Sequence, residues 1–197
     1  MLREPTWKSY GAKADKPILT PKQCQELINI GQAQPQLNPT ILNQTKPSDS
    51  YRKCKINWIP FDKAPTSYGL IKEWMNMTNI NFFNFDNMQM NEQGQYTEYS
   101  QGDFYNWHMD IYKDMRTMPP VRKISMTLLL NDPKEFKGGE LEIYNKELSA
   151  PTDHHDTFRL KQGQAVFFAS FLLHRVTPII EGNRKALVMW FGGPPFK

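Results

Sequence analysis

The sequence of 197 residues contains only two cysteines, Cys24 and Cys54, and no long apolar segment. Its longest nearly apolar run, residues 165–173, is about half of the roughly 20 residues that a membrane-spanning helix needs, so we expect no membrane partner. The first residues carry charges and prolines where an export signal has an apolar block. We therefore expect a cytoplasmic protein whose thiols stay reduced.

Internal repeats, low-complexity segments and linkers rich in glycine or serine are also missing from the sequence. The length falls within the usual range of one domain. We predict a single domain over residues 1–197, with an extended N-terminal arm over 1–20, a helical flank over 21–80 and a β-barrel catalytic core over 81–197.

The net charge of +4 is unevenly distributed along the chain. Residues 1–65 hold ten Lys/Arg and five Asp/Glu, whereas residues 66–197 hold fourteen and fifteen. A basic N-terminal third could contact nucleic acid or another acidic partner. The alternative is an ordinary solvated face rich in lysine.

The order of the predicted elements favours an α+β protein. Thr20-Pro21 has the N-cap and first-turn residues of a helix that ends before Pro35, and a second helix is predicted over 65–77. A strand is predicted at Lys55–Ile59, and eight further strands are predicted after residue 95 at 96–99, 104–110, 124–130, 140–144, 158–160, 165–170, 176–180 and 186–191. Helices followed by short strands favour a sandwich or a closed double-sheet barrel with the helices packed on one sheet.

A set of metal-ligating residue types falls on the predicted strands. His108 and Asp110 are two positions apart on a strand, so their side chains point to one face. His174 follows 64 residues after Asp110 and can reach the same point from a second strand. Two imidazoles and one carboxylate form the facial triad of non-haem iron(II) oxygenases. Zinc hydrolases also use such a set, but their histidine pairs commonly lie on a helix.

Arg184 lies ten residues after the second histidine, at the start of a predicted strand. A guanidinium group at that place can hold a distal carboxylate through paired hydrogen bonds. The alternative for Arg184 is a surface position in the turn at 181–183.

From about residue 96 to its end, the chain resembles the Fe(II)- and 2-oxoglutarate-dependent dioxygenases, and most of all their prolyl 4-hydroxylase-like branch. The motifs that carry the resemblance are YSQGDFYNWHMD (99–110), ISMTLLLNDP (124–133), FKGGEL (136–141), GQAVFF (163–168), LHRV (173–176) and RKALVMW (184–190). They occur in the order of the family and with spacings close to its pattern.

The resemblance implies a double-stranded β-helix, which is a jelly-roll barrel, flanked by N-terminal helices. It implies Fe(II), 2-oxoglutarate and O2 as cofactors, with ascorbate expected as a further one. His108, Asp110 and His174 would bind the iron, and Arg184 and Tyr99 the distal carboxylate of 2-oxoglutarate. Positions that match the pocket lining are Tyr105 and Trp190, and Arg122 is another candidate for substrate contact.

The family branch implies hydroxylation of a side chain in a peptide or protein, first of all a prolyl residue, with release of succinate and CO2. A free amino acid or another small molecule is an alternative substrate, and a non-catalytic barrel that binds a metal or a carboxylate is an alternative function. Oxygenases that repair alkylated nucleic acid carry a second arginine six residues after the first. Trp190 occupies that position here, which counts against that branch.

Overall fold

The computed structural model describes residues 10–37, 50–111, 120–144 and 155–195. Within these ranges, no helix is long and apolar enough to cross a membrane. In the described ranges the chain forms two long helices, both before residue 79, and thirteen strands, most of which follow residue 93. The α+β class predicted from the sequence is therefore confirmed.

Six strands form the larger sheet, and the longest of them lie at its centre. In spatial order they are β1 (Gly11–Lys13), β10 (Ala165–Ala169), β6 (Val121–Leu129), β13 (Arg184–Gly193), β4 (Gly94–Tyr99) and β3 (Lys55–Ile59). All neighbouring pairs are antiparallel. β1 falls within the segment predicted as an extended arm and pairs with β10 at the edge of the sheet.

Five strands form the smaller sheet. In spatial order they are β2 (Arg52–Lys53), β5 (Phe104–His108), β11 (His174–Val176), β8 (Leu141–Tyr144) and β9 (His155–Phe158). A separate pair consists of β7 (Phe136–Gly138) and β12 (Ile179–Gly182). Apolar side chains from β6, β8 and β10 form one buried cluster between the two sheets. The two facing antiparallel sheets confirm the predicted jelly-roll architecture.

The two helices cover the outer face of the larger sheet, as predicted. Helix α1 (Pro21–Gln32) begins with a capping box, in which the Thr20 side chain accepts from the backbone of Gln23 and the Gln23 side chain accepts from the backbone of Thr20. Helix α2 spans Pro65–Thr78. Gly31 lets α1 approach the sheet closely, since a Cβ atom there would lie 2.5 Å from the Tyr96 ring.

Three local predictions differ from the structure. The β pattern expected after Asn79 is instead a π-helical turn, Asn79–Phe83, which continues α2 and ends at Asn84 with a φ of 56°. The strand predicted at 176–180 is divided between β11 and β12, because Pro178 has no N–H with which to continue a ladder. The strand predicted at 158–160 lies earlier, at β9, whose polar and exposed residues have no apolar alternation to reveal them. The division into arm, flank and core stays a prediction.

Candidate metal centre and its cavity

The two predicted histidines meet because their strands are neighbours in the smaller sheet. His108 on β5 is the register partner of His174 on β11, and Asp110 lies two residues past the end of β5, which is shorter than the predicted strand 104–110. Asp110 Oδ1 is 3.7 Å from His108 Nε2, and its Oδ2 is 3.4 Å from His174 Nε2. The ligand atoms of all three residues lie within 4.8 Å of one another, and all three residues are buried.

Backbone carbonyls orient both imidazole rings. His108 Nδ1 lies 2.7 Å from the carbonyl of Asn106, and His174 Nδ1 lies 2.9 Å from the carbonyl of Leu172. A proton on each Nδ1 leaves the lone pair on Nε2, which faces the carboxylate. Burial, together with the nearby His174, lowers the pKa of His108 to about 3, so the ring is neutral at pH 7. Neutral imidazoles with free Nε2 lone pairs are the form that binds a metal.

The Asp110 carboxylate is held by a buried serine pair. Ser125 Oγ on β6 donates to Asp110 Oδ2 at 2.7 Å and lies 2.9 Å from Ser170 Oγ. Burial alone raises the pKa of Asp110, but His174, His108 and the Ser125 hydroxyl together hold it well below its usual value. The carboxylate is therefore ionised, and this set of two imidazoles and one carboxylate could hold a divalent iron.

The three residues lie at one wall of a cavity of about 300 Å³ between the sheets. Its other walls include two tryptophans, Trp58 on β3 and Trp190 on β13, whose ring centres are 6.0 Å apart. The cavity combines aromatic walls with a few polar groups, which is typical of small-molecule and peptide side-chain pockets.

Arg122 and Trp190 pack against each other at the cavity wall. Arg122 Cζ lies 3.9 Å from the centre of the Trp190 ring, and the Arg122 guanidinium pairs with both carboxylate oxygens of Glu92. The charge of Arg122 is thus matched within the protein. Trp190 Nε1 is buried and has no hydrogen-bond acceptor among the described residues.

Tyr105 packs directly on a predicted metal ligand. Its ring stacks on the ring of His108, with centres 3.4 Å apart and planes 14° from parallel. Arg52 Cζ lies 4.4 Å from the centre of the same tyrosine ring.

Tyr99 connects the metal cavity with Arg184. Tyr99 on β4 lines the cavity and is the register partner of Arg184 on β13, whose Cζ lies 5.8 Å from its ring. Burial raises the pKa of Tyr99, so its hydroxyl remains a donor. Arg184 is 3% exposed, and no carboxylate of the described residues lies within 4 Å of its guanidinium.

Arg184 does not line the metal cavity itself but a second cavity of about 300 Å³ beside it. Gly139 makes room for its side chain. The φ of Gly139 is +67°, and a Cβ atom there would lie 2.9 Å from Arg184 Cδ. Gly138 and Gly139 both have a positive φ, which marks a tight turn between β7 and β8.

Sequence reasoning missed several residues that line the cavity, among them Arg52, Trp58, Glu92 and Gln95. Arg52 belongs to the basic N-terminal third, for which the sequence leaves open an acidic partner or a solvated face. Burial alternates instead, with Arg52 and Cys54 buried and Lys53 and Lys55 exposed. The period of two that placed His108 and Asp110 on one face could have placed Arg52 as well. Residues 112–119, which follow the predicted metal ligand Asp110, lie outside the described residues.

Comparison with protein families gives a match over the same part of the chain. The sequence model of the 2OG-Fe(II) oxygenase superfamily matches residues 94–192, which include β4, both predicted histidines and Arg184. A PKHD-type hydroxylase of Idiomarina loihiensis is 36% identical over 94 residues, which cover 47% of this chain and 38% of that relative. The chain thus matches well under two thirds of the length of this curated relative.

Solved structures resemble nearly the whole chain. A viral collagen prolyl hydroxylase from Paramecium bursaria Chlorella virus-1, in a 2OG complex, has a TM-score of 0.67 and 20% identity, covering 93% of this chain and 96% of that one. A Trichoplax adhaerens prolyl hydroxylase, in complex with a peptide fragment of the hypoxia inducible factor oxygen degradation domain, has a TM-score of 0.74 and 17% identity, covering 93% and 84%. At these identities the likeness establishes a shared fold.

Proposed function

Because the chain belongs to the 2OG-Fe(II) oxygenase superfamily, we propose that it hydroxylates a side chain of a peptide or protein, first of all a prolyl residue. The observation that carries the proposal is the buried set of His108, Asp110 and His174 at the wall of an aromatic cavity. These three residues would bind Fe(II). Arg184 and Tyr99 would bind the distal carboxylate of 2-oxoglutarate, since they pair a buried guanidinium with a buried hydroxyl donor.

Bound iron and 2-oxoglutarate would supply the activation of O2 that places a hydroxyl group on a C–H bond, with release of succinate and CO2. The residues of the chain would do the positioning. The carbonyls of Asn106 and Leu172 fix the histidine rings, and Ser125 fixes the carboxylate. The aromatic walls would exclude water around the reacting group.

A peptide substrate is supported by the character of the cavity wall. Tyr105, Arg122 and Trp190 all line it, and the Trichoplax neighbour is a prolyl hydroxylase in complex with a peptide fragment. The cytoplasmic location, the use of ascorbate and a contact between the basic N-terminal third and nucleic acid stay predictions.

An anaerobic titration with Fe(II) and 2-oxoglutarate tests this function. We expect the weak metal-to-ligand charge-transfer band of an Fe(II)–2-oxoglutarate complex, and we expect Asp110→Ala to abolish it. Asp62→Ala, at an exposed carboxylate on a surface turn, is the matched control and should keep the band. Adding O2 and peptide substrates should then produce succinate and a mass gain of one oxygen atom on a single residue type. Absence of the band in the wild-type protein, with succinate production unchanged by Asp110→Ala, would contradict the proposal.

A further inference from the structure

Arg52 is a buried cation that faces the metal cavity, and no carboxylate of the described residues pairs with it. Its side chain is 8% exposed and lines the cavity. Nε donates to Cys54 Sγ at 3.2 Å, and Nη2 donates to the amide oxygen of Gln95 at 2.8 Å. Among the described residues, Nη1 has no acceptor, and no carboxylate lies within 4 Å of the guanidinium.

The groups around Arg52 are neutral. They are the Cys54 thiol, the Gln95 amide and the Tyr105 ring, and burial raises the pKa of the Cys54 thiol, so it is not an anion at pH 7. A buried guanidinium that meets only neutral groups is costly, because its lost hydration is not replaced by an opposite charge. Such a residue inside a cavity is well suited to bind an anionic ligand.

The formal charges of the site single out Arg52. Arg122 is neutralised by Glu92. In the proposed function, Fe(II) and Arg184 together bring three positive charges, and Asp110 and 2-oxoglutarate bring three negative ones. The charges of these four groups cancel. Arg52 contributes one positive charge that no group of the described residues and no proposed cofactor balances.

We propose that Arg52 is a second anion-binding residue of this cavity, that it contacts a carboxylate of the substrate, and that it thereby determines specificity. The inference rests on the proposed function. Tyr105 contacts both Arg52 and His108. The distance from the Arg52 guanidinium to the His108 ring therefore cannot exceed the sum of the 4.4 Å and 3.4 Å contacts that Tyr105 makes with them. An extended chain advances about 3.3–3.6 Å per residue. The carboxylate therefore belongs within one or two residues of the reacting group.

Two sources can supply such a carboxylate: an Asp or Glu side chain beside the target residue, or the α-carboxylate of a free amino acid. The first probes are capped peptides with a central proline and otherwise alanine, in which one of the four flanking positions carries Asp. A matched set carries Asn there. L-proline and L-prolinamide are the small-molecule pair.

Binding is measured anaerobically on the full chain loaded with Fe(II) and 2-oxoglutarate. Trp58 and Trp190 line the cavity, so their fluorescence reports occupancy. A hydrogen bond to a charged group corresponds to about 10- to 100-fold in affinity. We expect one Asp peptide to bind at least about tenfold more tightly than the matching Asn peptide, or L-proline to bind at least about tenfold more tightly than L-prolinamide. The probe that shows the preference identifies the source.

Arg52→Gln should abolish the preference and leave half-saturation by 2-oxoglutarate unchanged. The matched control is Lys55→Gln, which removes the same charge from an exposed position three residues away and should keep the preference. Arg52→Lys should keep it in weakened form, since an ammonium still attracts the carboxylate. If Arg52 only packed against Tyr105, the preference for the acidic probe would not be weakened by Arg52→Lys and abolished by Arg52→Gln.

The proposal is overturned if the wild-type protein prefers no acidic probe in either pair, which requires no variant to fold. It is also overturned if Arg52→Gln weakens 2-oxoglutarate binding and leaves the probes unaffected, because Arg52 would then bind the co-substrate. The charge-transfer band of the loaded protein tests the proposed function separately. A protein that shows the band but no acidic preference keeps its function and loses this inference alone.

Discussion

Replacing Ser125 by alanine tests how the fold holds the metal-binding carboxylate. Ser125 is fully buried and donates to Asp110 Oδ2 at 2.7 Å, while Ser170 lies 2.9 Å from it on the other side. Ser125→Ala therefore removes the hydroxyl that fixes one carboxylate oxygen. It also leaves the Ser170 hydroxyl without its partner.

The expected magnitudes follow from the charge of each partner. A hydrogen bond to a charged group contributes about 1.5–3 kcal/mol, and loss of a residue that supports a metal ligand costs about 10- to 100-fold in metal affinity. We expect Ser125→Ala to weaken metal binding by about that factor. Ser170→Ala leaves the bond between Ser125 and Asp110 in place, so it should change metal affinity much less.

Calorimetric titration of the metal-free protein with Fe(II) under anaerobic conditions measures the affinity, and urea unfolding measures stability. In the double variant no buried hydroxyl is left unpaired, so stability should recover relative to Ser125→Ala while metal affinity stays low. The reasoning is refuted if Ser125→Ala binds metal like the wild type. It is equally refuted if Ser170→Ala lowers metal affinity as much as Ser125→Ala does.

Three further predictions concern pH and the co-substrate. Since the pKa of His108 is lowered to about 3 in the fold, the unfolded chain takes up a proton below about pH 6.5 that the folded chain does not. The free energy of unfolding of the metal-free protein should therefore decrease as the pH falls from about 6.5 towards 3, by up to about 1.4 kcal/mol per pH unit. Urea unfolding at a series of pH values measures this dependence, and His108→Gln should make it weaker. The same pH dependence in wild type and variant would contradict this prediction. Gly139→Ala should displace Arg184 and thereby raise the 2-oxoglutarate concentration for half-saturation severalfold. The control is Gly102→Ala, where φ is +81° but the surrounding space is open, so this variant should lose only about 1–2 kcal/mol of stability. Equal effects of the two variants on half-saturation would count against a role of Arg184. Tyr99→Phe should raise the KM for 2-oxoglutarate about tenfold in a succinate-release assay, by losing a hydroxyl donor to a charged group, and a KM unchanged within twofold would exclude that contact.

Much of the fold could be predicted because local chemistry and tertiary packing agree. The helix start at Thr20-Pro21 and the strand at Lys55–Ile59 appear in the structure where the sequence indicated them. The pattern failed where it carried no apolar signal, as at the polar strand His155–Phe158. It also failed at Asn79–Phe83, because the phenylalanines at 82, 83 and 85 fit a π-helical turn and its exit beside the core as well as they fit a strand.

The metal-binding set could be predicted because strand alternation and chain order are properties of the sequence. The distance between His108 and His174 could not, since it depends on which strands become neighbours in the smaller sheet. The separation of Arg184 from the metal cavity, with Tyr99 connecting the two, likewise depends on the packing of side chains from β4 and β13.

Arg52 shows why charge counted along a sequence differs from charge in a structure. It is one of the ten Lys/Arg that make the first third of the chain basic and suggest an acidic partner on the surface. In the fold it is buried against Tyr105 and faces the cavity, while Lys53 and Lys55 on either side of Cys54 are exposed. Water and salt screen the charge of an exposed lysine, so it contributes little to recognition. A cation inside a cavity is screened much less and therefore interacts more strongly with an anionic ligand that enters the cavity. Among the described basic residues of the first third, Arg52 is the buried one, and it is therefore the one that we propose to influence substrate choice.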